Sequence, residues 1–426
     1  MRYLSSLKRK AYLVVARYFR WWANKSLHRW QPRIIAVTGS VGKTTMLHLI
    51  EQQLGKRAHY SHNANSAFGI AFDIVGLRGI TNTKLRWLYL FVAVPWRALT
   101  FTRTREYYVV EIDGERPDEV DFIASWLHPE VTLWVSVGNS HAVYFDKQVA
   151  AGTFDSVEAA IAHEFARLPR HTKKYIIANG DEQRIRDSLA KIRTRIDYVS
   201  LDNLTQYTVT PGTSSFSFGT SRTFQFAYPM PRETALQLSM LEKLLQYLEL
   251  DVDYSMPNFT MPPGRSSYFA GIESTHLIDS SYNAHLISMR SMIDTLDAME
   301  VPHKWLVLGD MIEQGKSEQS LHEQLARRIL EADVERVILI GRRLKQYALP
   351  ILRDATKFQV AAFDTQIDAY DYIHSELQGG ETLLFKGSQY LEWVVEKMLA
   401  NPKEDRKLLA RQEPAARKRR KKRGLA

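Results

Sequence analysis

Lys43 stands at the end of a glycine turn, in the run Ile34-Ile-Ala-Val-Thr-Gly-Ser-Val-Gly-Lys-Thr-Thr45. A phosphate group needs converging backbone N–H groups, a cation and an unobstructed approach. Gly39 and Gly42 permit a tight backbone, Lys43 can reach β- and γ-phosphates, and Thr44 can offer its hydroxyl to Mg2+. The helix that begins near Thr44 adds the positive end of its dipole. The full pattern G-x-x-x-x-G-K-[ST] is not met, because Val37 occupies the place of the first glycine. What stands is the variant T-G-x-x-G-K-T-T, after an apolar run and before a helical pattern. The sequence therefore predicts an ATP site with Mg2+ on Gly39, Ser40, Val41, Gly42, Lys43, Thr44 and Thr45. Such a loop alone does not choose between a ligase, a kinase, a transporter subunit and a nucleic-acid motor.

The elements that must position this loop are those of an α/β protein. A chain of 426 residues, 45% hydrophobic and 24% charged, has globular composition and room for two or three domains. The absence of cysteine excludes a disulfide framework, a thiolate zinc site and a cysteine nucleophile, and fits a reducing, cytoplasmic setting. Short apolar runs alternate with helical patterns, which argues for parallel sheets with covered faces. Ile34 to Val37, Tyr107 to Ile112 and Val131 to Val137 read as strands, and Thr44 to Leu54 as a helix. From Gln206 to Tyr228 the period becomes two, which predicts a small antiparallel patch. Thr234 to Leu248 reads as a helix, and the proline-bearing stretch Pro257 to Pro263 as the boundary. Beyond it Trp305 to Leu308, Arg336 to Ile340 and Thr382 to Phe385 are strand candidates. Ser288 to Met299, Glu318 to Glu331 and Gln366 to Leu377 are helical.

The chain's net charge of +10 lies in its ends. Residues 1–33 hold nine bases and no acid, and residues 401–426 eleven bases and three acids, so residues 34–400 carry −7, the +10 less +9 and +8. Leu4, Leu7, Ala11, Val14, Tyr18 and Trp22 recur at helical spacing among Lys8, Lys10, Arg17, Arg20 and Lys25. That composition suits a helix in a membrane interface, and equally one packed on the protein's own surface. Arg17 and Arg20 interrupt any secretory signal. Trp87 to Trp96 is apolar but too short to span a bilayer, for which roughly 20 residues are needed. The run Arg417 to Arg423 reads as a disordered, solvated tail, and no nucleic-acid partner is expected.

The variant loop and the strings that follow it resemble the Mur ligase family. His62-Asn-Ala-Asn-Ser-Ala-Phe-Gly69 is similar to its N-x-N-x-x-x-G stretch, and Val110-Glu-Ile-Asp-Gly114 with Pro117-Asp-Glu119 to its E-x-G and following turn. Val135-Ser-Val-Gly-Asn-Ser-His141 resembles T-N-x-x-x-x-H, and Asn179-Gly-Asp181 matches N-x-D. Four later strings resemble the branch that adds D-alanyl-D-alanine. They are Gly264-Arg265, Ile278-Asp-Ser-Ser-Tyr-Asn-Ala284, Val307-Leu-Gly-Asp-Met-Ile-Glu-Gln-Gly315 with His322, and Phe385-Lys-Gly-Ser388.

The resemblance implies a P-loop central domain with a mainly parallel sheet over residues 34–263. A Rossmann-like C-terminal α/β domain over 264–400 follows, between a basic amphipathic segment (1–33) and a basic tail (401–426). It implies an ATP-dependent ligase that joins a carboxylate to an amine through an acyl phosphate, adding D-Ala-D-Ala to a muramyl-peptide acceptor. Lys43, Glu111 and His141 would be catalytic, with Thr44, Glu111 and His141 holding Mg2+ and Asp113 as Glu111's rival. Arg265, Asp279, Tyr282 and Asn283 would meet the nucleotide. A monomer is expected, with a peripheral membrane contact through residues 1–33.

Three departures follow from the same comparison. Ala162, two residues before Glu164, occupies the place of a lysine that many members carbamylate. Pro231-Arg-Glu-Thr-Ala235 replaces H-N-x-x-N, and only 33 residues precede Ile34, where a UDP-sugar-binding domain usually stands. The last keeps open another amide ligase of the superfamily, of the folylpolyglutamate or poly-amino-acid kind. The first keeps open a catalytically weakened scaffold.

Overall fold

The apolar runs of the sequence become two parallel sheets, one in each of two compact units. The computed structural model describes residues 2–62, 64–79, 84–139, 142–388 and 390–425, with side chains there except at 2–11, 13 and 84. Met1–Gly138, Lys147–Ser200 and Leu236–Val252 make the first unit; Asn139–Asp146, Leu201–Ala235 and Asp253–Ala426 make the second.

In the first unit six strands run parallel: β1 (Arg33–Thr38), β2 (Ala58–Tyr60), β3 (Tyr107–Ile112), β4 (Val131–Trp134), β5 (Tyr175–Asn179) and β6 (Arg195–Val199), in the order β2-β3-β1-β4-β5-β6. Every residue of β3 and β4 is buried, as in parallel sheets covered on both faces. The longer helices are α1 (Arg2–Trp30), α2 (Lys43–Leu54), α3 (Ala67–Ile74), α4 (Lys84–Thr100), α5 (Glu119–Leu127), α6 (Val157–Phe165) and α7 (Thr234–Tyr247). The chain leaves β1 on one side for β2 and β3 and returns on the other for β4 to β6. The strand order therefore reverses beside β1, and open α/β sheets hold ligands at the carboxyl ends of such strands.

Packing on the protein's own surface holds for one face of α1. Ala16, Phe19 and Ala23 are fully buried, Phe19 meets Phe72 edge-on at 4.9 Å, and Tyr12 Oη donates to Glu119 Oε1 at 2.6 Å. Glu164, the acid used to align the family's lysine position, is committed to structure. Its buried carboxylate accepts from the N–H groups of Asp118 (3.0 Å) and Val120 (2.9 Å) and so caps the start of α5.

The second unit opens with the antiparallel patch read from the sequence: β7 (Gln206–Val209), β8 (Ser214–Phe218) and β9 (Arg222–Phe226). A six-stranded sheet follows, of β10 (Ser267–Ala270), β11 (His276–Ser280), β12 (Lys304–Gly309), β13 (Arg336–Ile340), β14 (Gln359–Phe363) and β15 (Thr382–Lys386). Its order is β10-β11-β15-β12-β13-β14, parallel except for β10. Helices α8 (Leu286–Asp297), α9 (Glu318–Glu331), α10 (Gln366–Glu376) and α11 (Glu392–Met398) cover it.

The basic C-terminal run differs from the disordered tail expected of it. It forms α12 (Pro414–Lys421), and Leu409 and Leu425 join the apolar cluster around Trp393. Glu396 takes an ion pair from Arg406 at 2.7 Å and another from Arg420 at 2.6 Å. A count of bases sees repulsion; it does not see the two leucines or an acid that neutralises two of the arginines.

Candidate active site

The turn after β1 is gripped from three sides. Gly39 has φ +141, and a Cβ there would come within 2.8 Å of Ser136 N. Ser136, just past β4, accepts from Val41 N at 2.9 Å and donates to Val41 O at 2.8 Å through its hydroxyl. Ser40 Oγ donates to Gly138 O at 2.9 Å. Gly42 has φ +84, and a Cβ there would stand 2.2 Å from Gln237 Nε2 on α7, which donates to Gly42 O at 3.0 Å. Glycine is required twice by backbone conformation and close approach together. Gln237 is a contributor that no sequence pattern signalled.

This grip leaves α2 starting at Lys43 with its first N–H groups at the loop. Lys43 is buried, its Nζ donating to Gly39 O at 2.5 Å and lying 3.4 Å from Asp113 Oδ1. Thr44 Oγ1 donates to Glu111 Oε2 at 3.1 Å. Glu111 stands opposite Val37 in the β1–β3 register, and its N–H is held by Ser61 Oγ at 2.9 Å. The structure thus brings Lys43, Thr44, Glu111 and Asp113 to one place and separates the two acids by partner: Asp113 with Lys43, Glu111 with Thr44. A hydroxyl and a carboxylate are hard oxygen donors of the kind Mg2+ takes. Thr45 follows in the first turn of α2. His141 lies outside the described residues.

In the second unit the named residues cluster at the carboxyl ends of β11 and β15. Gly264 has φ +72 and its carbonyl accepts from Tyr282 N at 3.0 Å, which sets the Arg265 guanidinium over the Tyr282 ring at 4.6 Å. Asp279 is fully buried, and its Oδ1 accepts from Ser281 N at 3.0 Å; burial raises its pKa above the usual carboxylate value. Lys386 Nζ donates to Asn283 O at 2.7 Å and Ser280 O at 3.1 Å. Arg411, from the basic run, donates to Ser281 O at 3.1 Å, pairs with Glu392 at 3.3 Å and also holds Tyr282 O. It belongs to this cluster, and charge counting hid it. Asp310 and His322 shape the fold instead. Asp310 Oδ1 accepts from Leu344 N at 2.9 Å. His322 bonds Glu318 O through Nδ1 at 2.6 Å and Met311 N through Nε2 at 3.3 Å, which fixes a neutral tautomer with its proton on Nδ1.

Burial first, and then the neighbouring Arg265, push Lys386 down from 10.5 to about 7. Between those values Lys386 of the unfolded chain binds a proton that Lys386 of the folded chain does not, so this group's contribution to stability rises with pH across that window. Lys386→Met is expected to remove this slope. The native chain should gain on the variant by roughly a few kcal/mol from pH 7 to 10.5, read from denaturant melts at each pH. Equal slopes would mean that Lys386 keeps its ordinary pKa.

A phosphate loop flanked by strand-borne oxygen donors, followed by a Rossmann-like unit, is the architecture of the ATP-dependent amide ligases. The chain belongs to the Mur ligase family: residues 37–240 match the Mur ligase middle domain and residues 264–389 the Mur ligase glutamate ligase domain. Within the family its sequence and fold resemble those of MurF ligases. It is 24% identical over 325 residues to the UDP-N-acetylmuramoyl-tripeptide--D-alanyl-D-alanine ligase of Escherichia coli, covering 73% of this chain and 65% of that one. It is 22% identical to the enzyme of that name from Bacillus subtilis, covering 87% and 76%. The fold is that of the MurF ligase from Thermotoga maritima, solved in complex with ADP: TM-score 0.70, 19% identity, 90% of this chain and 83% of that one. The chain thus spans about two thirds of the length of its Escherichia coli relative.

Proposed function

We propose that this chain uses ATP to join D-alanyl-D-alanine to the carboxylate of a muramyl-peptide acceptor in peptidoglycan synthesis. The observation that carries the reading is the pairing of Thr44 Oγ1 with Glu111 Oε2 at 3.1 Å beside the buried Lys43. The names of the relatives supply the substrates. Lys43 meets the β- and γ-phosphates, Gly39, Ser40 and Val41 form the turn beneath them with the Ser40 and Val41 N–H groups held by Ser136, and the N–H groups of Gly42, Thr44 and Thr45 serve the phosphates. The terminal phosphoryl group passes to the acceptor carboxylate, giving an acyl phosphate and ADP. The amine then attacks the acyl carbon, the C–O bond to phosphate breaks, and the nitrogen gives up a proton. Thr44 and Glu111 would hold Mg2+, with His141 serving a second ion near the acceptor; such ions screen the repulsion between two anions.

Arg265, Asp279, Tyr282 and Asn283 serve the nucleotide in this reading. Residues 34–263 act as the ATP-binding domain and 264–400 as the C-terminal ligase domain. The chain works as a cytoplasmic monomer with a peripheral membrane contact through residues 1–33. No helix among the described residues is long and apolar enough to cross a membrane.

The test is product mass. The full chain with ATP, Mg2+, D-Ala-D-Ala and a UDP-muramyl-tripeptide should release phosphate and give the acceptor extended by the dipeptide. Amide formation with glutamate on a folate, and none with D-Ala-D-Ala, would move the chain to the folylpolyglutamate kind. ATP turnover with no amide product from any pair would leave a weakened scaffold.

A further inference from the structure

The surface of the first unit carries an apolar face that its enzymatic chemistry does not use. Of the eighteen large hydrophobic side chains exposed among the described residues, ten lie on just two helices: Val14, Tyr18 and Trp21 on α1, and seven on α4. The α4 set includes Leu85, Leu88, Val92, Trp96 and Leu99, spaced by three or four residues, so it forms one stripe along the helix. Leu85 is 78% exposed, Val92 72% and Trp96 67%. Soluble proteins scatter such residues singly; a contiguous stripe marks a surface that something covers.

The two helices are built as one body. Phe19 of α1 stacks obliquely on Phe91 at 5.0 Å, and the opposite sides of both helices are buried, through Ala16, Phe19 and Ala23 on α1 and Leu90, Val94 and Ala98 on α4. Pro95 has no N–H, so the carbonyl of Phe91, four residues earlier, loses its helical partner. Tyr18 Oη donates to that carbonyl at 3.0 Å and ties α1 to α4 at the break. Further along, Arg29 Nη1 donates to Leu99 O at 2.8 Å and Nη2 to Phe101 O at 3.1 Å, closing the end of α4 with a cation.

Charge identifies the occupant. By sequence α1 carries eight Lys or Arg and α4 three, and neither carries an acid. Lys25 Nζ sits 3.8 Å over the Trp21 ring, where its apolar stem and charged head match a headgroup boundary. A second copy of this chain would set two such acid-free basic surfaces against each other. Anionic phospholipid instead offers acyl chain to the stripe, phosphate to the bases and an interface to Trp21, Trp96 and Tyr89.

We propose that α1 and α4 together form a monotopic docking platform for an anionic phospholipid surface, with α4 contributing the larger apolar share. This rests on the peripheral contact read for residues 1–33 and carries it to a second helix. The full chain should float with phosphatidylcholine vesicles that contain phosphatidylglycerol, should not float with phosphatidylcholine alone, and should be released by salt. Val92→Asp with Trp96→Asp should weaken flotation at least about tenfold, with the melting temperature and ATP turnover unchanged. If that variant floats as the native chain does while Val14→Asp with Trp21→Asp does not, the contact through residues 1–33 stands and the two-helix platform falls. If the native chain ignores anionic vesicles, both fall. Concentration-dependent dimers abolished by the α4 changes, without vesicle binding, would assign the face to self-association and overturn the proposal.

Discussion

Lys43→Ala is expected to lower ATP-dependent phosphate release at least about 100-fold, the scale on which loss of one preorganised charge aimed at a transferring group is felt. The side chain is buried, its Nζ 2.5 Å from Gly39 O and 3.4 Å from Asp113 Oδ1, at the start of a helix whose N–H groups face the loop. Its removal would take the cation from the phosphates and also deletes the positive charge 3.4 Å from the buried Asp113 Oδ1, which destabilises the fold. The two effects separate through Asp113→Asn, which breaks the same ion pair and leaves the lysine in place. Both variants should melt below the native chain, and only Lys43→Ala should lose turnover on that scale. Lys43→Arg should not restore it, because a planar fork does not fit where a compact ammonium lies between a carbonyl and a carboxylate. Native turnover in a folded Lys43→Ala protein would end the assignment of this loop to the γ-phosphate.

How much of this was legible in the residues follows from how local each feature is. The loop could be read because strand, turn, cation and helix start lie within twelve consecutive residues. β3 and β13 match their sequence ranges to the residue, since inner strands covered on both faces carry mainly apolar runs, Tyr107 to Val110 in β3 and Val337 to Ile340 in β13. Four of the strands that the sequence reading does not assign, β2, β6, β10 and β14, are the edges of the two sheets. There, one side has no neighbour, and residues such as those of Arg195-Ile-Asp-Tyr-Val199 stay partly exposed and mixed in character. Gln237 could not be found from its own neighbourhood: its partner Gly42 lies 195 positions away, and an amide on a helix announces nothing. Arg411 was hidden in the opposite way, inside a run whose charge suggested solvent, although a buried Glu392 awaits it 19 residues earlier. α4 was visible as apolar and too short to span a bilayer. Only its packing against α1 shows which face remains outside.

Glu111→Gln is expected to cost about 100-fold in turnover at ordinary Mg2+ and to move the Mg2+ requirement upward by about tenfold or more. The choice of Glu111 over Asp113 rests on partners, because both acids are buried and both lie near the loop. Asp113 faces Lys43 at 3.4 Å and is occupied in balancing it. Glu111 accepts from the hydroxyl of Thr44 at 3.1 Å, and that hydroxyl is the group a P-loop turns toward its cation. Glutamine keeps the size, the bond to Thr44 and the backbone bond to Ser61, so the loop should fold unchanged and the loss should be electrostatic. Turnover measured against Mg2+ concentration separates the cases. Glu111→Gln should show a raised half-saturation point that excess Mg2+ partly rescues, while Asp113→Asn keeps the native midpoint at lower stability. The reverse pattern would hand the cation to Asp113 and leave Glu111 as a support for Thr44, because the pair that shares a midpoint shift with the metal is the pair that holds it.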